Sequence, residues 1–347
     1  MNGKQSSVIR KHLAMITVTL RCRHQSRLLA PTLRLEAVMT ASPTVDVTDE
    51  EIFDAHQGGK LPMAGTVPLE SRRDLSIAYT PGVAWVSEAI HADATLATTY
   101  TWAGRLVAVV SDGSAVLGLG NIGPAASLQV MEGMAALFKA FAGLDSIPVV
   151  LDTQDVDEIV STVQLLRLSF GAVNLEDISA PQCFQIEQRL IQELDIPVMH
   201  DDQRGTAVVV MAALLNTARL LRRPLSFLRM VISGAGAAGV ACTRILLEAG
   251  VEDIVLLDFR GIIGVHRQDL HSVKTDIAAS TNPHRLEAGL SEALEEAEVF
   301  IGASSVTVPE ELLAGMSPNG AIFALSNSTP EIHPQIAEKY ASVVATR

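Results

Sequence analysis

Apolar and polar positions follow two rhythms along most of the chain. Short apolar runs recur: LVAVVSD at 106–112, IPVVLD at 147–152, AVNLE at 172–176, IPVMHDD at 196–202, LRMVIS at 228–233 and DIVLLD at 253–258. Their length and β-branched content predict buried strands. Between them lie longer segments with apolar residues three and four apart, such as Leu128, Met131, Ala135 and Phe138, which predict a helix from Pro124 to about Phe141. Further helices are expected up to about Phe170, through Gln192, over Thr206 to Leu221 and over 237–249. Upstream, Thr48 and Glu51 have the spacing of a capping box, opening a short helix that stops at Gly58–Gly59. Strand and helix in alternation predict an α/β chain, with a division near Asp202–Gly205.

Two stretches have the G-x-G-x-x-G spacing of a dinucleotide turn: VLGLGNIG at 116–123, with Gly118, Gly120 and Gly123, and SGAGAAG at 233–239. The second also has the right surroundings. A strand precedes it, a helix follows, and the next strand ends on Asp258, 24 positions after Gly234. Gly234 would permit the tight turn and Gly236 the approach of a pyrophosphate, while the helix start supplies N–H donors. After the first loop the next strand ends on Asp152, 34 positions beyond Gly118, which does not suit a ribose contact. That loop is read as a close-packed turn.

Composition narrows the function. The 347 residues are 48% hydrophobic, enough for two cores, and no run of about 18 uninterrupted apolar residues occurs. Residues 1–36 hold seven Lys or Arg and one acid, whereas the remainder carries 19 basic and 38 acidic side chains. The acidic body lacks the basic surface that nucleic acid requires, so the partner expected is a small molecule, with neither nucleic acid nor membrane. The basic start resembles a transit peptide, but Met39 opens a more ordinary N-terminus, so residues 1–45 are read as a disordered extension and the location as cytoplasmic. Cys22, Cys183 and Cys242 build neither a disulfide framework nor a metal knuckle.

Two acidic pairs, Glu176-Asp177 and Asp201-Asp202, fall at the ends of predicted strands, where open α/β sheets place their ligand crevice. Carboxylates converging there repel one another unless a divalent cation holds them, and all-oxygen ligation suits Mg²⁺ or Mn²⁺. The other reading is that they cap helices or face water. His200 beside them is read as structural.

SIAYTPGVA at 76–84, VAVVSDGSAVLGLGNIGPAASLQVMEG at 107–133, NLEDISAP, HDDQ-GTA and SGAGAAG occur in the order and spacing of the malic enzymes of the short bacterial type, and the chain resembles them over roughly residues 57–346. The resemblance implies a malic-enzyme-type N-terminal α/β domain over 46–204, followed by a Rossmann-like dinucleotide-binding domain over 205–347. It implies a homodimeric oxidoreductase that converts malate to pyruvate and CO₂ with NAD or NADP and Mg²⁺ or Mn²⁺. By position, Glu176, Asp177 and Asp202 become metal ligands, Asp201 the partner of a catalytic lysine, and Tyr79 the general acid. Gly234, Ala235, Gly236, Ala237, Ala238 and Gly239 line the pyrophosphate, Asp258 the ribose, and Asn327 the nicotinamide and substrate.

This chain departs from that pattern. Where the family motif MEGKA places its base, residues 131–135 read MEGMA, so Met134 stands at the lysine position. A thioether fills the space but accepts no proton at neutral pH. Lys139, five residues on, points about 140° away on a helix. Arg204 replaces a histidine and Ser328 a proline of the family pattern, and the family continues past the position of Arg347, so part of the active-site wall is expected to be missing. Two readings follow: a working malic-enzyme-type oxidoreductase, or a catalytically impaired relative that binds ligands or partners. Asp258 weighs toward NAD, and Arg260 two residues later toward a 2′-phosphate; the balance is taken to favour NAD.

Overall fold

The computed structural model describes residues 21–22, 48–327 and 329–346. Eleven strands are present among them: β1 Arg21–Cys22, β2 Leu106–Ser111, β3 Asp145–Val150, β4 Ala172–Leu175, β5 Val198–His200, β6 Met230–Ser233, β7 Ile254–Asp258, β8 Gly261–Ile262, β9 Val299–Gly302, β10 Gly320–Ala324 and β11 Ala341–Thr346. Of the basic segment read as a disordered extension or transit peptide, only Arg21–Cys22 is described, and it pairs antiparallel with β11. The rest of residues 1–45, and Ser328, lie outside the described residues.

The strands form two sheets. One is wholly parallel in the order β3-β2-β4-β5, and the other runs β1-β11-β10-β9-β6-β7-β8, with five parallel strands between antiparallel edges. All six residues of β2 are buried, as a parallel strand covered on both faces requires. The expected helices cover the sheets: Pro124–Leu137, continued by one π-turn to Ala142, then Val156–Leu166, Gln182–Glu193 and Ala237–Glu248. The Thr48–Glu51 capping box forms as read, with both reciprocal hydrogen bonds.

One expectation is corrected. Asp201 and Asp202 do not extend β5 but open the helix Asp201–Leu221, five residues before Thr206. Carboxylates suit a helix start, where their charge faces the positive end of the dipole. This helix is long and apolar enough to cross a bilayer, with Asp201, Asp202 and Arg204 in its first turn and Arg219 in its last, and it packs along the Ala237–Glu248 helix of the second sheet. It runs from one sheet to the other, with Asp202–Gly205 in its first turn. A single buried cluster follows it across both sheets, from Leu106 and Leu175 through Leu214 to Ile232 and Phe323.

By contrast, the helices Asp49–His56, Arg72–Ala78 and Gly82–Ala92 bury no residue. They expose Phe53, Ile77 and Trp85, and the segment between the first two exposes Met63 and Leu69.

Packing in the second domain leaves no room at Gly239. A Cβ there would lie 1.7 Å from the carbonyl oxygen of Gly234. Gly239→Ala should therefore lower stability by about 3 kcal/mol, read from chemical or thermal unfolding. A variant as stable as the parent would show that the turn is not packed this closely.

Candidate active site

Three parallel strands end side by side at the carboxylates. Glu176 follows β4 directly, Asp177 comes next with φ 55°, and Asp202 lies in the first turn of the helix after β5. Oxygen atoms of Glu176, Asp177 and Asp202 all come within 4.8 Å of one another. Glu176 is 5% exposed and Asp177 3%. Burial, then the charges of Asp201, Asp202 and Asp177, push the Glu176 carboxyl well above its usual range, while a 2.8 Å hydrogen bond from Asn174 Nδ2 acts the other way. A buried set of oxygen donors that destabilise one another in this way fits a hard divalent cation. These three could hold one. Asp201 faces back along its own helix, its Oδ1 only 2.4 Å from where a Cβ on Gly205 would stand. His200 is fully buried, and burial pushes it down to about 4, so it stays neutral as a structural histidine would.

The first glycine loop braces this cluster. Ala115 N–H donates to the Asp177 carbonyl at 2.9 Å and Leu117 N–H reaches Asp177 Oδ1 at 3.5 Å. Ser114 is held by Asp112 and accepts from Ser179 N–H at 2.8 Å. The loop closes where Gly113 meets Gly123: the N–H groups of Ile122 and Gly123 both donate to the Gly113 carbonyl, and a Cβ on Gly113, at φ 68°, would lie 2.3 Å from Gly123. Gly113 is thus a glycine the loop requires, and it lies outside the G-x-G-x-x-G pattern, of which Gly120 and Gly123 also hold positive φ. At its other side the loop meets the second domain, where a Cβ on Gly118 would touch the Asn327 carbonyl at 3.9 Å.

Next to Asn327 the chain is tied down by a residue that the sequence reading did not single out. Glu331 is 1% exposed and accepts from Ser304 N–H at 3.0 Å and Ser326 N–H at 3.1 Å. It ties together the loops after β9 and β10. Burial raises its carboxyl above the usual range. Only its position in STPE hinted at this, since an acid there is ordinarily a surface residue.

In the second domain the turn SGAGAAG has the geometry of a phosphate cradle. Gly234 adopts φ 116°, Gly236 is the N-cap of the Ala237–Glu248 helix, and a Cβ at Gly236 would meet nothing within 4 Å. Ala235 and Gly239 are buried beneath, while Ala237 and Ala238 form the first turn facing the cradle, half-buried. The open backbone above a helix start fits a pyrophosphate. Asp258 ends β7 as expected, but its carboxylate is held by Arg267 and Lys274, which the sequence reading missed.

The remaining residues stand in different settings. Tyr79 caps the Arg72–Ala78 helix and is 70% exposed, on the layer that buries nothing. Met134 is half-buried against an apolar cluster of Val107, Val109, Met131 and Phe138. Lys139 points outward and pairs with Asp145 at 2.7 Å, as the helical spacing required. Arg204 turns onto the preceding helix, Gln182–Glu193, with Nε 3.1 Å from the buried Glu187, which also accepts from His200 N–H.

The chain is similar to known proteins over most of its length. Residues 59–191 match the family model for the malic enzyme N-terminal domain, and residues 203–343 that for the malic enzyme NAD binding domain. An NAD-dependent malic enzyme of Geobacillus stearothermophilus is 48% identical over 305 residues, covering 87% of this chain and 63% of that protein. A bifunctional malic/malolactic enzyme of Bacillus subtilis is also 48% identical, covering 86% and 74%. The crystal structure of an NAD-dependent malic enzyme from Thermotoga maritima superposes with a TM-score of 0.82 at 46% identity, over 87% of this chain and 81% of that one. The chain thus spans somewhat less than two thirds of the Geobacillus protein.

The crowded carboxylates have a measurable signature. Glu176 binds its proton more tightly folded than unfolded, so in EDTA its contribution to stability should be greatest at low pH and fall as pH rises from about 4.5 through the raised folded value. Glu176→Gln should flatten that fall and raise the melting midpoint near neutral pH by several degrees, while Mn²⁺ should stabilise the parent more than the variant. Thermal melts across pH, with EDTA and with Mn²⁺, check both. A variant less stable than the parent in EDTA at neutral pH would rule out repulsion as the governing effect.

Proposed function

The chain belongs to the malic enzyme family, and we propose on that premise that it is a metal-dependent oxidoreductase converting malate to pyruvate and CO₂ with reduction of NAD(P)⁺. The observation that carries this is the convergence of Glu176, Asp177 and Asp202 within 4.8 Å, beside a loop that reaches the nucleotide domain at Asn327. Its acidic body and bacterial relatives support a cytoplasmic enzyme acting on a small molecule.

When bound, a divalent cation supplies Lewis acidity toward the malate hydroxyl and carboxylate, and the nicotinamide accepts a hydride. Glu176, Asp177 and Asp202 are the residues that would hold the cation, and Gly234 to Gly239 the pyrophosphate. The first glycine loop keeps the Asp177 backbone in its left-handed turn through the bond from Ala115. Asn327, beside the Ser326 amide that Glu331 holds, would orient the substrate. Loss of a proton from the C2 hydroxyl and of hydride from C2 gives the keto acid. Cleavage of the bond to the C4 carboxyl releases CO₂, and Tyr79 then donates the proton to C3 of the resulting enolate.

One observation favours a second reading, in which oxidation is impaired and the chain acts as a binding or partner subunit. By the resemblance Met134 stands at the position of the family's base, and it packs against an apolar cluster. A general base contributes on the order of 10²- to 10⁴-fold.

Assay with malate, Mn²⁺ and either cofactor should therefore give slow turnover, and Met134→Lys should raise kcat at least about tenfold. A parent turnover on the order of 10 s⁻¹ would set the impaired reading aside.

The uncovered helices of residues 49–92 support a homodimer, since an apolar layer of this extent on a monomer marks an interface. Light scattering should give a dimer for the parent and a monomer for Trp85→Glu, which places a charge on an indole that is 73% exposed. A monomeric parent would refute the assembly.

A further inference from the structure

The charges around Asp258 bear on which nicotinamide cofactor the site can take. Oδ1 of Asp258 accepts from Arg260 N–H at 3.0 Å and Arg267 Nη1 at 2.7 Å, and Oδ2 accepts from Arg267 Nη2 at 3.2 Å and Lys274 Nζ at 2.7 Å. An ionised carboxylate offers about four lone-pair positions, so this one is saturated. It is also locked in place, its side chain 6% exposed and those of Arg267 and Lys274 10% and 15%. A ribose 2′-hydroxyl would have to displace a buried ion pair to reach it.

The cations around it are not all used up. Asp269 takes Arg267 Nε at 2.8 Å and Arg260 Nη1 at 2.8 Å, so two acids stand among three cations. Lys274 has two further N–H donors beyond the one on Asp258. Arg260 is 57% exposed, with its guanidinium 5.2 Å over the ring of Phe259, and keeps donors turned to solvent.

We propose that this pocket selects the 2′-phosphorylated dinucleotide, NADP⁺, with Arg260 and Lys274 receiving the phosphate and Arg267 holding Asp258 out of the ribose's reach. The proposal rests on the reading of SGAGAAG and β7 as the dinucleotide site. It reverses the weight given to Asp258 in favour of NAD: the acid is present where that contact needs it, but committed elsewhere.

Calorimetric titration of the full chain with NADP⁺ and NAD⁺, and with adenosine 2′,5′-bisphosphate and adenosine 5′-monophosphate, tests it without turnover. The phosphorylated member of each pair should bind on the order of tenfold tighter or more, and the difference should shrink with added salt. Arg260→Ser, on an exposed side chain, should weaken NADP⁺ on the order of tenfold and leave NAD⁺ within about twofold; Lys274→Ala should act in the same sense. Equal or tighter binding of NAD⁺, or an Arg260→Ser change that weakens both cofactors alike, overturns the proposal and leaves the site reading intact. Absence of binding by either dinucleotide overturns the site reading and the proposal with it.

Discussion

Charge repulsion among Glu176, Asp177, Asp201 and Asp202 is the constraint around which the first domain is organised. Three of them come within 4.8 Å, and two are all but withdrawn from water. In a low-dielectric interior such a group is tolerated only where surrounding dipoles and a cation answer it. The surroundings supply the dipoles: the start of the Asp201–Leu221 helix under Asp202, the Asp177 N–H on Asp202 Oδ2 and the Asn174 amide on Glu176. The parallel order β3-β2-β4-β5 matters because it brings the ends of β4 and β5 together.

A single rigid element then links chemistry to cofactor. The Asp201–Leu221 helix begins at the carboxylates and packs along the Ala237–Glu248 helix, whose own start is the phosphate cradle. Both helices share one buried cluster with both sheets. The two sites are therefore referenced to one packed interior, and their separation is fixed by helix geometry rather than by a linker.

What the sequence made legible was whatever depends on neighbours along the chain. The Thr48–Glu51 capping box, the strand ending on Asp258 and the turn at Gly234 each rest on residues a few positions apart, and each stands in the structure as read. The carboxylates were legible as acids at strand ends, though Asp201 and Asp202 belong to a helix. Contacts between distant positions stayed hidden. Gly113 matters because it meets Gly123, Glu331 because two separate loops converge on it, and Asp258 changes its meaning once Arg267 and Lys274 fold back over it. None of those pairings leaves a periodic or short-range mark in a single sequence. Met134 is the reverse case: its identity was plain, and only the structure shows the apolar cluster that receives it.

The stretch from Gly113 to Gly123 also acts as a spacer of fixed length. It is pinned at its base, where the Ile122 and Gly123 amides close on the Gly113 carbonyl, and along its side, where the Ala115 amide meets the turn of Asp177. Both fastenings are main chain on main chain, so the step from the end of β2 to the start of the Pro124–Leu137 helix does not depend on which side chains that helix carries. Substitution along the helix, position 134 included, leaves its starting point where it was.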